Sequence, residues 1–331
     1  MVVGSPDSLI KDYKPISLGN LTRLPYPSNL ALDTHSYCNA SCLVCPIPDL
    51  SKKLPMGFMD DALFKRIIDE FSLIARRYPI RGHLLFGSTI EPFIDKNIFD
   101  KISYAIDAGL KLIIQTNASI LSPDKIDELV RTGFKGPIYI SCHGITPKVY
   151  KKVMGLDIDK TLHNINYLIG NYPKNLIQIR SIPYQWPIGE VHKVKNYWNR
   201  RNIPVKIFLP NSRTSLLSNI ISWKLKYPGD KLRGCKKTLP LRDMIVVSNG
   251  DAILCCEDMS RKVVLGNLKE HAIVDVWNSD QSKNALEKIF MGKPSDDDFP
   301  CKLCEYGVST RFRKLVRVLD HEVHRLLNCY I

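Results

Sequence analysis

The stretch Cys38-Asn39-Ala40-Ser41-Cys42-Leu43-Val44-Cys45 decides how the rest of this chain is interpreted. It follows the short apolar run Leu30–Leu32, which predicts a buried strand. Three thiolates at this spacing can bind one iron–sulfur cluster from a single loop, and three ligands leave the fourth iron of a cubane open for a substrate or cofactor. Zinc is the main alternative metal, but its usual ligands come in pairs and no paired His set follows.

The size and composition of the chain are those of an ordinary globular protein. It has 331 residues, of which 44% are hydrophobic and 24% charged, and this suits a large domain with a smaller appendage. A core of this size needs no disulfides, so the ten cysteines require another explanation. We find neither a secretory signal nor an apolar run long enough to span a bilayer. We therefore expect a cytoplasmic protein whose grouped cysteines bind metal.

The net charge of +14 is spread along the chain rather than concentrated in one tail. It indicates either a solvated basic surface or an anionic partner, such as a phosphorylated substrate, an acidic electron donor or a membrane surface. A zinc-stabilised nucleic-acid-binding protein is a remote alternative. Its basic residues would be interleaved with aromatic residues in a stripe, which is not the case here, so we do not expect nucleic acid as a partner.

Short apolar runs alternate with longer amphipathic stretches over the first two thirds of the chain. The runs are bounded by turn residues, as buried parallel strands are, and comprise Leu30–Leu32, His83–Phe86, Leu110–Gln115, Pro137–Ser141, Leu176–Ile182 and Val205–Leu209. Helical spacing of apolar residues marks Met59–Ala75, Asn97–Ala108, Ser122–Thr132, Pro147–Ile169 and Gly189–Arg201. Six strand–helix units predict an α/β fold whose parallel sheet curves into a partial barrel.

The pattern changes near Asn211. Residues Asn211–Gly234 are irregular and polar, which predicts a linker. Met244–Val247 and Ala252–Leu254 flank a turn and predict a β-hairpin, and a helix is predicted over Val274–Phe290. We therefore expect a lead-in over residues 1–28, a barrel over 29–210, a linker and small α+β domain over 211–308, and a basic C-terminal helix over 309–331.

A second set of cysteines lies in the predicted small domain. Cys235 is followed by Gly250-Asp251-Ala252-Ile253-Leu254-Cys255-Cys256, and Cys301-Lys302-Leu303-Cys304 completes the set. Four cysteines in two loops can enclose an iron–sulfur cluster or a zinc ion, and spacing alone does not choose between them.

The first cysteine loop resembles the C-x3-C-x2-C motif that defines the radical S-adenosylmethionine (SAM) superfamily. Gly87-Ser88-Thr89-Ile90-Glu91-Pro92 also resembles the Gly-Gly-Glu-Pro segment of that family, although other residues stand where two of its glycines would be. The resemblance implies a partial (β/α)6 barrel of the radical SAM type. It further implies that Cys38, Cys42 and Cys45 bind a catalytic [4Fe–4S] cluster and that SAM chelates its open iron.

The same resemblance implies a set of SAM contacts. Glu91 would accept hydrogen bonds from the methionyl ammonium. Thr116 and Asn117 match a Thr-Asn-Gly segment of the family, and Ser141 lies in a segment that is near the ribose of the cofactor in the family. Arg180, on the fifth predicted strand, would bind the cofactor carboxylate or form a structural ion pair.

The second cysteine set resembles the C-terminal extension known as the SPASM or twitch domain. Further cysteines of the full SPASM pattern do not follow at the family's spacings, so the resemblance is to the shorter twitch form with one auxiliary [4Fe–4S] cluster. That resemblance implies Cys235, Cys255, Cys301 and Cys304 as its ligands. Cys255 is the ligand by spacing, but Cys256 could exchange with it.

The resemblance implies a radical SAM enzyme of oxidoreductase type, which cleaves SAM to a 5′-deoxyadenosyl radical that abstracts hydrogen from a substrate carbon. We expect dehydrogenation or a related modification of a small molecule, such as a sugar, aminocyclitol, nucleotide or lipid-linked compound, with the auxiliary cluster as electron acceptor. A reduced flavodoxin- or ferredoxin-type donor is the expected electron source. The alternative is a maturase that modifies a precursor peptide or a carrier-bound substrate.

The basic terminal helix, Thr310–Cys329, is amphipathic. The simpler interpretation is that it packs across the small domain or the open end of the barrel. The alternative is peripheral contact with an anionic membrane or a lipid-linked substrate.

Overall fold

The computed structural model describes residues 13–78, 80–184, 187, 189–217 and 231–309. The predicted terminal helix Thr310–Cys329 lies outside the described residues, as does most of the predicted linker. No helix in the described part of the chain is both long enough and apolar enough to cross a membrane.

The strands form one large sheet and two small ones. They are β1 (Ile16–Leu18), β2 (Leu21–Arg23), β3 (Asn29–Leu32), β4 (His83–Phe86), β5 (Lys111–Thr116), β6 (Ile138–Ser141), β7 (Ile177–Ser181), β8 (Val205–Ile207), β9 (Leu232–Cys235), β10 (Asp243–Val246), β11 (Asp251–Ile253), β12 (Val264–Asn267) and β13 (Gly307–Ser309). The large sheet has nine strands in the order β12-β11-β10-β3-β4-β5-β6-β7-β8. Strands β3 to β8 run parallel in chain order, which confirms the six predicted parallel strands.

The helices pack their apolar faces against this sheet. They are α1 (Ile47–Leu50), α2 (Asp61–Arg77), α3 (Ile98–Asp107), α4 (Pro123–Arg131), α5 (Pro147–Met154), α6 (Ile158–Asn171), α7 (Glu190–Asn199), α8 (Ile273–Trp277), α9 (Asp280–Phe290) and α10 (Pro300–Leu303). In α2, for example, Ile67, Ile68 and Phe71 are at most 1% exposed, as the helical spacing predicts. One continuous core joins these helices to one face of the parallel strands.

The helix predicted over Pro147–Ile169 is two helices in the structure. Helix α5 ends at Gly155, whose left-handed φ of 72° stops helical propagation. Helix α6 then begins at Asp157, whose side chain accepts hydrogen bonds from the backbone of Asp159 and Lys160. The predicted helix Val274–Phe290 is likewise divided, because the side chain of Ser279 caps the start of α9.

The predicted hairpin of the small domain is present as β10 and β11, but it extends the barrel sheet instead of forming a sheet of its own. Strand β10 pairs in parallel with β3, with Met244 opposite Leu30 and Val246 opposite Leu32. Parallel pairing satisfies the backbone groups of β3 that would otherwise lie at a sheet edge. The second cysteine set therefore lies beside the first strand of the barrel, and the boundary at residue 211 stays a prediction.

The predicted irregular segments also contain regular structure. Strand β9 begins within Asn211–Gly234, contrary to the prediction, and pairs with β13. In the lead-in, β1 and β2 form a hairpin that packs against α9. The guanidinium of Arg23 lies 3.5 Å from the ring centroid of Trp277 and donates to its carbonyl oxygen at 2.8 Å. Contacts of this kind join distant parts of the chain and leave no periodic pattern in the sequence.

Candidate active site

The loop that carries Cys38, Cys42 and Cys45 follows β3 and is held against the end of α5. The backbone N–H of Ser41 donates to Met154 O at 3.0 Å, and that of Leu43 donates to Val153 O at 2.9 Å. Gly155 is packed so tightly against this loop that a Cβ placed on it would lie 1.9 Å from Ser41 Oγ. The position of the three thiols therefore depends on where α5 ends.

A cavity of about 340 Å³ opens at the carboxyl ends of the parallel strands. Cys38, Cys42 and Cys45 lie in its wall together, and the wall also contains every predicted SAM contact, namely Glu91, Thr116, Asn117, Ser141 and Arg180. This is the edge where the loops between parallel strands and helices meet, which is the usual position of a ligand site in such sheets.

Glu91 is 1% exposed and is oriented by two segments of backbone. Its Oε1 accepts a hydrogen bond from Thr116 Oγ1 and its Oε2 accepts one from the backbone N–H of Asn117, both at 2.7 Å. Glu91 also caps the 3-10 turn Pro92–Ile94 by accepting from Phe93 N. Burial raises the pKa of Glu91 to about 7, while these hydrogen bonds oppose the shift. The carboxyl group retains lone pairs for a cationic ligand.

Asp33 is a site residue that sequence reasoning missed. It follows β3 directly, and its side chain accepts hydrogen bonds from the backbone of Ser88 at 3.0 Å, from the backbone of Thr89 at 3.3 Å and from the Thr89 hydroxyl. These bonds hold the loop that carries Glu91. Gly87 begins this loop, and a Cβ there would lie 2.1 Å from Gln115 O, so only glycine fits. The sequence feature that could have identified Asp33 is its position as an acidic residue at the carboxyl end of a predicted buried strand.

Arg180 lies on β7 with its guanidinium stacked over the ring of Tyr139, 3.4 Å from the centroid. Its Nη1 donates to Gln115 Oε1 at 3.1 Å. Among the described residues we find no carboxylate in an ion pair with it, so the structural ion pair considered from the sequence is not seen in this part of the chain. The guanidinium is therefore available to an anionic ligand.

His143 lies in the cavity wall as a neutral side chain. It is 6% exposed, and burial lowers its pKa to about 4. Its Nδ1 accepts from the backbone N–H of Ile182 at 3.3 Å. The loop after β6 is held by another residue that sequence reasoning missed, Glu190, which accepts from the backbone of Ile145 and Thr146 at 2.8 Å.

The second cysteine set lines a separate, smaller cavity. Its wall contains Cys235, Cys255, Cys301 and Cys304. Cys256 instead lies in the wall of the large cavity, with Cys38 and its neighbours. The two adjacent cysteines thus face different cavities, and this geometry favours Cys255 over Cys256 as the auxiliary ligand.

Both cysteine sets suit an iron–sulfur cluster by their chemistry. Every cysteine in the described part of the chain is a free thiol. Burial is the main cause that raises the pKa of Cys42 and Cys255, and the charges of neighbouring cysteines raise it further, so a cationic core is needed to hold these thiolates together. Among the described residues, no three His, Cys, Asp or Glu side chains meet closely enough to hold a single metal ion. A cubane does not require this, because each thiolate binds a different iron.

Three side chains, Lys237, Glu257 and Tyr306, form a wall shared by the two cavities. Lys237 Nζ lies 3.6 Å from Glu257 Oε1 and 3.6 Å from the ring centroid of Tyr306. Arg213 Nη1 donates to Glu257 Oε2 at 2.9 Å from the side of the large cavity. The two cavities, each lined by one cysteine set, therefore adjoin at one charged wall.

Comparison with known proteins agrees with this geometry. Residues 33–182 match the model of the Radical SAM superfamily, and residues 235–305 match the SPASM model, described as an iron–sulfur cluster-binding domain. The first match contains the loop of Cys38 and the predicted SAM contacts, and the second contains all four auxiliary cysteines.

Individual proteins resemble the chain over most of its length. An S-adenosyl-L-methionine-dependent 2-deoxy-scyllo-inosamine dehydrogenase of Niallia circulans is 23% identical over 84% of this chain and 92% of its own. The structure of BtrN in complex with AdoMet and 2-DOIA has a TM-score of 0.55 at 20% identity and covers 85% of this chain and 92% of that chain. Streptococcus suis SuiB bound to precursor peptide SuiA has a TM-score of 0.60 at 15% identity, covering 86% and 71%.

Each of the two family models contains one of the two cysteine sets. The fold confirms the partial parallel barrel that the sequence predicts, and the solved structures share it. The chain belongs to the radical SAM superfamily and is a radical SAM enzyme with a C-terminal SPASM domain.

Proposed function

We propose that this enzyme oxidises a small organic molecule in two one-electron steps. A hydrogen atom is removed from one of its carbons, and the resulting substrate radical then loses a proton to solvent and passes one electron to an auxiliary cluster. The observation that carries the proposal is the shared wall of Lys237, Glu257 and Tyr306. A substrate in the large cavity would contact the catalytic site on one side and lie one partition away from the second cysteine set on the other. This arrangement suits two successive one-electron steps on a single substrate.

Radical SAM enzymes with a SPASM domain use a [4Fe–4S] cluster with SAM together with auxiliary iron–sulfur clusters. We assign the catalytic cluster to Cys38, Cys42 and Cys45, and one auxiliary [4Fe–4S] cluster to Cys235, Cys255, Cys301 and Cys304. When bound, the catalytic cluster and SAM supply a 5′-deoxyadenosyl radical as the hydrogen-abstracting species.

The residues around the catalytic cysteines would orient SAM. Glu91 faces the cavity with its carboxyl oxygens directed by Thr116 and Asn117, which suits it to accept hydrogen bonds from the methionyl ammonium. Arg180, which has no carboxylate partner among the described residues, suits the methionyl carboxylate as a planar two-point donor. Ser141 lies opposite Arg180 on the adjacent strand and is the polar group we assign to the ribose.

Oxidation of a small molecule is supported by the Niallia circulans relative, which is named as a dehydrogenase and matches over 84% of this chain. The likeness to SuiB bound to its precursor peptide is one of fold, at 15% identity. A SAM-dependent oxidation therefore has support from both sequence and geometry, whereas modification of a peptide has support from the fold alone.

The test is anaerobic reconstitution of the wild-type chain and of the triple variant Cys38→Ala/Cys42→Ala/Cys45→Ala. Two four-iron clusters give about eight irons in the wild type and about four in the variant. The wild type should form 5′-deoxyadenosine from SAM with dithionite as reductant, and the variant should not. Formation of 5′-deoxyadenosine by the triple variant would refute the assignment of the catalytic site.

The oxidation step is tested with Cys301→Ala/Cys304→Ala, which removes two auxiliary ligands. This variant should retain dithionite-driven cleavage of SAM. A small-molecule fraction of a cell lysate is then added to the wild type as the source of substrate. The auxiliary cluster should become reduced, as measured by electron paramagnetic resonance, in proportion to the 5′-deoxyadenosine formed. Substrate turnover that leaves the auxiliary cluster oxidised would contradict its role as electron acceptor.

A further inference from the structure

The described wall of the large cavity carries more cationic side chains than carboxylates. Five ionisable carboxyl, guanidinium or ammonium groups belong to its lining: Glu91, Arg180, Arg213, Lys237 and Glu257. Glu91 accepts hydrogen bonds from Thr116, Asn117 and Phe93. Arg213 and Lys237 share the single carboxylate of Glu257. Within the described wall, the cationic groups outnumber the carboxylates, and both carboxylates are engaged.

Arg213 has unused hydrogen-bonding capacity on this wall. Its guanidinium carries five N–H donors, and the one side-chain bond we find for it among the described residues is from Nη1 to Glu257. The side chain is 21% exposed, whereas the side chain of Glu257 is 5% exposed. Arg213 therefore presents donors to the cavity, while Glu257 is covered by its two cationic partners.

The backbone holds Arg213 in this position by a strained turn. Arg213, Thr214 and Ser215 have φ values of 48°, 59° and 67°, a left-handed conformation that non-glycine residues rarely adopt. Ser212 N donates to Glu305 Oε1 at 3.0 Å, and Ser215 N donates to Ser212 Oγ at 3.1 Å, which fixes the turn. Strain of this kind is retained where surrounding contacts enforce it, often at ligand sites.

The same segment is anchored to the catalytic cysteine loop. Leu217 packs against Val44, which lies between Cys42 and Cys45. Arg213 is thus held to the small domain through Glu257 and Glu305 and to the barrel through Leu217. Its guanidinium lies in the wall of the large cavity, bonded to the Glu257 carboxylate that both cavities share.

We propose that the substrate carries an anionic group, a phosphate ester or a carboxylate, and that Arg213 binds this group. The proposal rests on the proposed function, because it concerns the substrate of the same cavity. An amine substrate would approach cationic groups without meeting an unengaged carboxylate on the described wall. An anionic group would gain charge-assisted hydrogen bonds from Arg213, with Lys237 adding electrostatic attraction. Arg180 remains assigned to the cofactor carboxylate.

The test is equilibrium dialysis of radiolabelled inorganic phosphate against the reconstituted, SAM-saturated enzyme in chloride buffer at fixed ionic strength. We expect one phosphate per chain, displaced by acetate at higher concentration and not displaced by ammonium. Arg213→Gln should weaken phosphate binding by about tenfold or more, the range for a charge-assisted hydrogen bond, without changing SAM affinity. Glu257→Gln should strengthen phosphate binding, because it removes the competing carboxylate.

Two further variants keep the test decisive. Arg213→Gln/Glu257→Gln removes both charges of the buried pair, so it should fold even if the single variant does not, and it should also lose phosphate binding. Arg200→Gln, which changes an exposed arginine after α7, should behave as the wild type. If acetate displaces the radiolabelled phosphate at a lower concentration than unlabelled phosphate does, the anionic group of the substrate is a carboxylate.

The proposal is overturned if phosphate binds no better than chloride, or if the double variant retains it. Loss of phosphate and SAM binding together in Arg213→Gln would also overturn it, because the anion would then occupy the cofactor site. Dithionite-driven formation of 5′-deoxyadenosine is measured on the same samples. If the wild type forms 5′-deoxyadenosine but binds no phosphate, the anionic substrate is refuted and the proposed radical chemistry stands. If the wild type forms no 5′-deoxyadenosine, the proposed function itself fails.

Discussion

The contact between Gly155 and the catalytic cysteine loop gives the sharpest prediction. Replacing Gly155 with Ala adds a Cβ that would lie 1.9 Å from Ser41 Oγ and 3.2 Å from Ser41 Cβ. Ser41 lies next to Cys42, and its backbone bonds to the end of α5. The substitution should therefore displace the catalytic loop while leaving the auxiliary cysteines, which lie on other elements, in place.

The magnitude follows from two contributions. The φ of Gly155 is 72°, and a left-handed alanine costs about 1–2 kcal/mol. The added methyl group must also displace the Ser41 hydroxyl and press on Ser41 Cβ, and overpacking of this kind costs about 1–3 kcal/mol more. The free energy of unfolding of Gly155→Ala should therefore fall by about 2–5 kcal/mol. Gly109→Ala is a matched control, because Gly109 also follows a helix with a φ of 83° but has no atom within 4 Å of an added Cβ. It should lose about 1–2 kcal/mol.

The assay combines urea denaturation with an iron count on anaerobically reconstituted protein. Gly155→Ala should lose about four of about eight irons together with 5′-deoxyadenosine formation, whereas Gly109→Ala should keep both. Ser41→Gly in the Gly155→Ala background removes the two close side-chain contacts and should restore the iron. The reasoning is refuted if Gly155→Ala keeps its full iron content and is no less stable than Gly109→Ala.

Two other predictions follow from the site. Because Cys255 faces the auxiliary cavity and Cys256 the large one, Cys255→Ala should lose about four irons and Cys256→Ala none, and the opposite result would reverse the assignment. Burial raises the pKa of Asp33 from 3.8 to about 6, so the folded state binds the proton of this side chain more tightly than the unfolded state does. Protonation of Asp33 therefore stabilises the folded state at low pH, and this stabilisation is lost as pH rises from about 4 to about 6. Between pH 5 and 7 the wild type should lose about 1 kcal/mol of unfolding free energy more than Asp33→Asn, and parallel pH profiles for the two proteins would contradict the shifted pKa.

The local part of this structure could be predicted from sequence. Three thiols within eight residues must share one loop, whatever the rest of the chain does, so the position of Cys38, Cys42 and Cys45 as a group follows from their spacing. The parallel strands were also predictable, because a strand buried on both faces is recorded in a short run of apolar residues. Polar residues at the carboxyl ends of such strands, including Thr116 and Ser141, necessarily meet at one edge of the sheet.

The predicted elements were wrong where a single residue outweighs a periodic pattern. The apolar spacing continues through Pro147–Ile169, yet the left-handed Gly155 divides it into two helices. Strand β9 was missed because its partner β13 lies more than seventy residues away, and a pairing over that distance has no local periodicity.

The arrangement of the two cysteine sets was decided by the tertiary structure. Pairing of β10 with β3 joins residues more than two hundred positions apart and brings the SPASM cysteines beside the barrel. Spacing favoured Cys255 as the ligand but left an exchange with Cys256 open, and the fold distinguishes the two because they line different cavities. Arg213 and Asp33 gain their roles from groups that the fold brings to them. The sequence determined which chemistry the chain carries, and long-range contacts determined which side chains share a cavity.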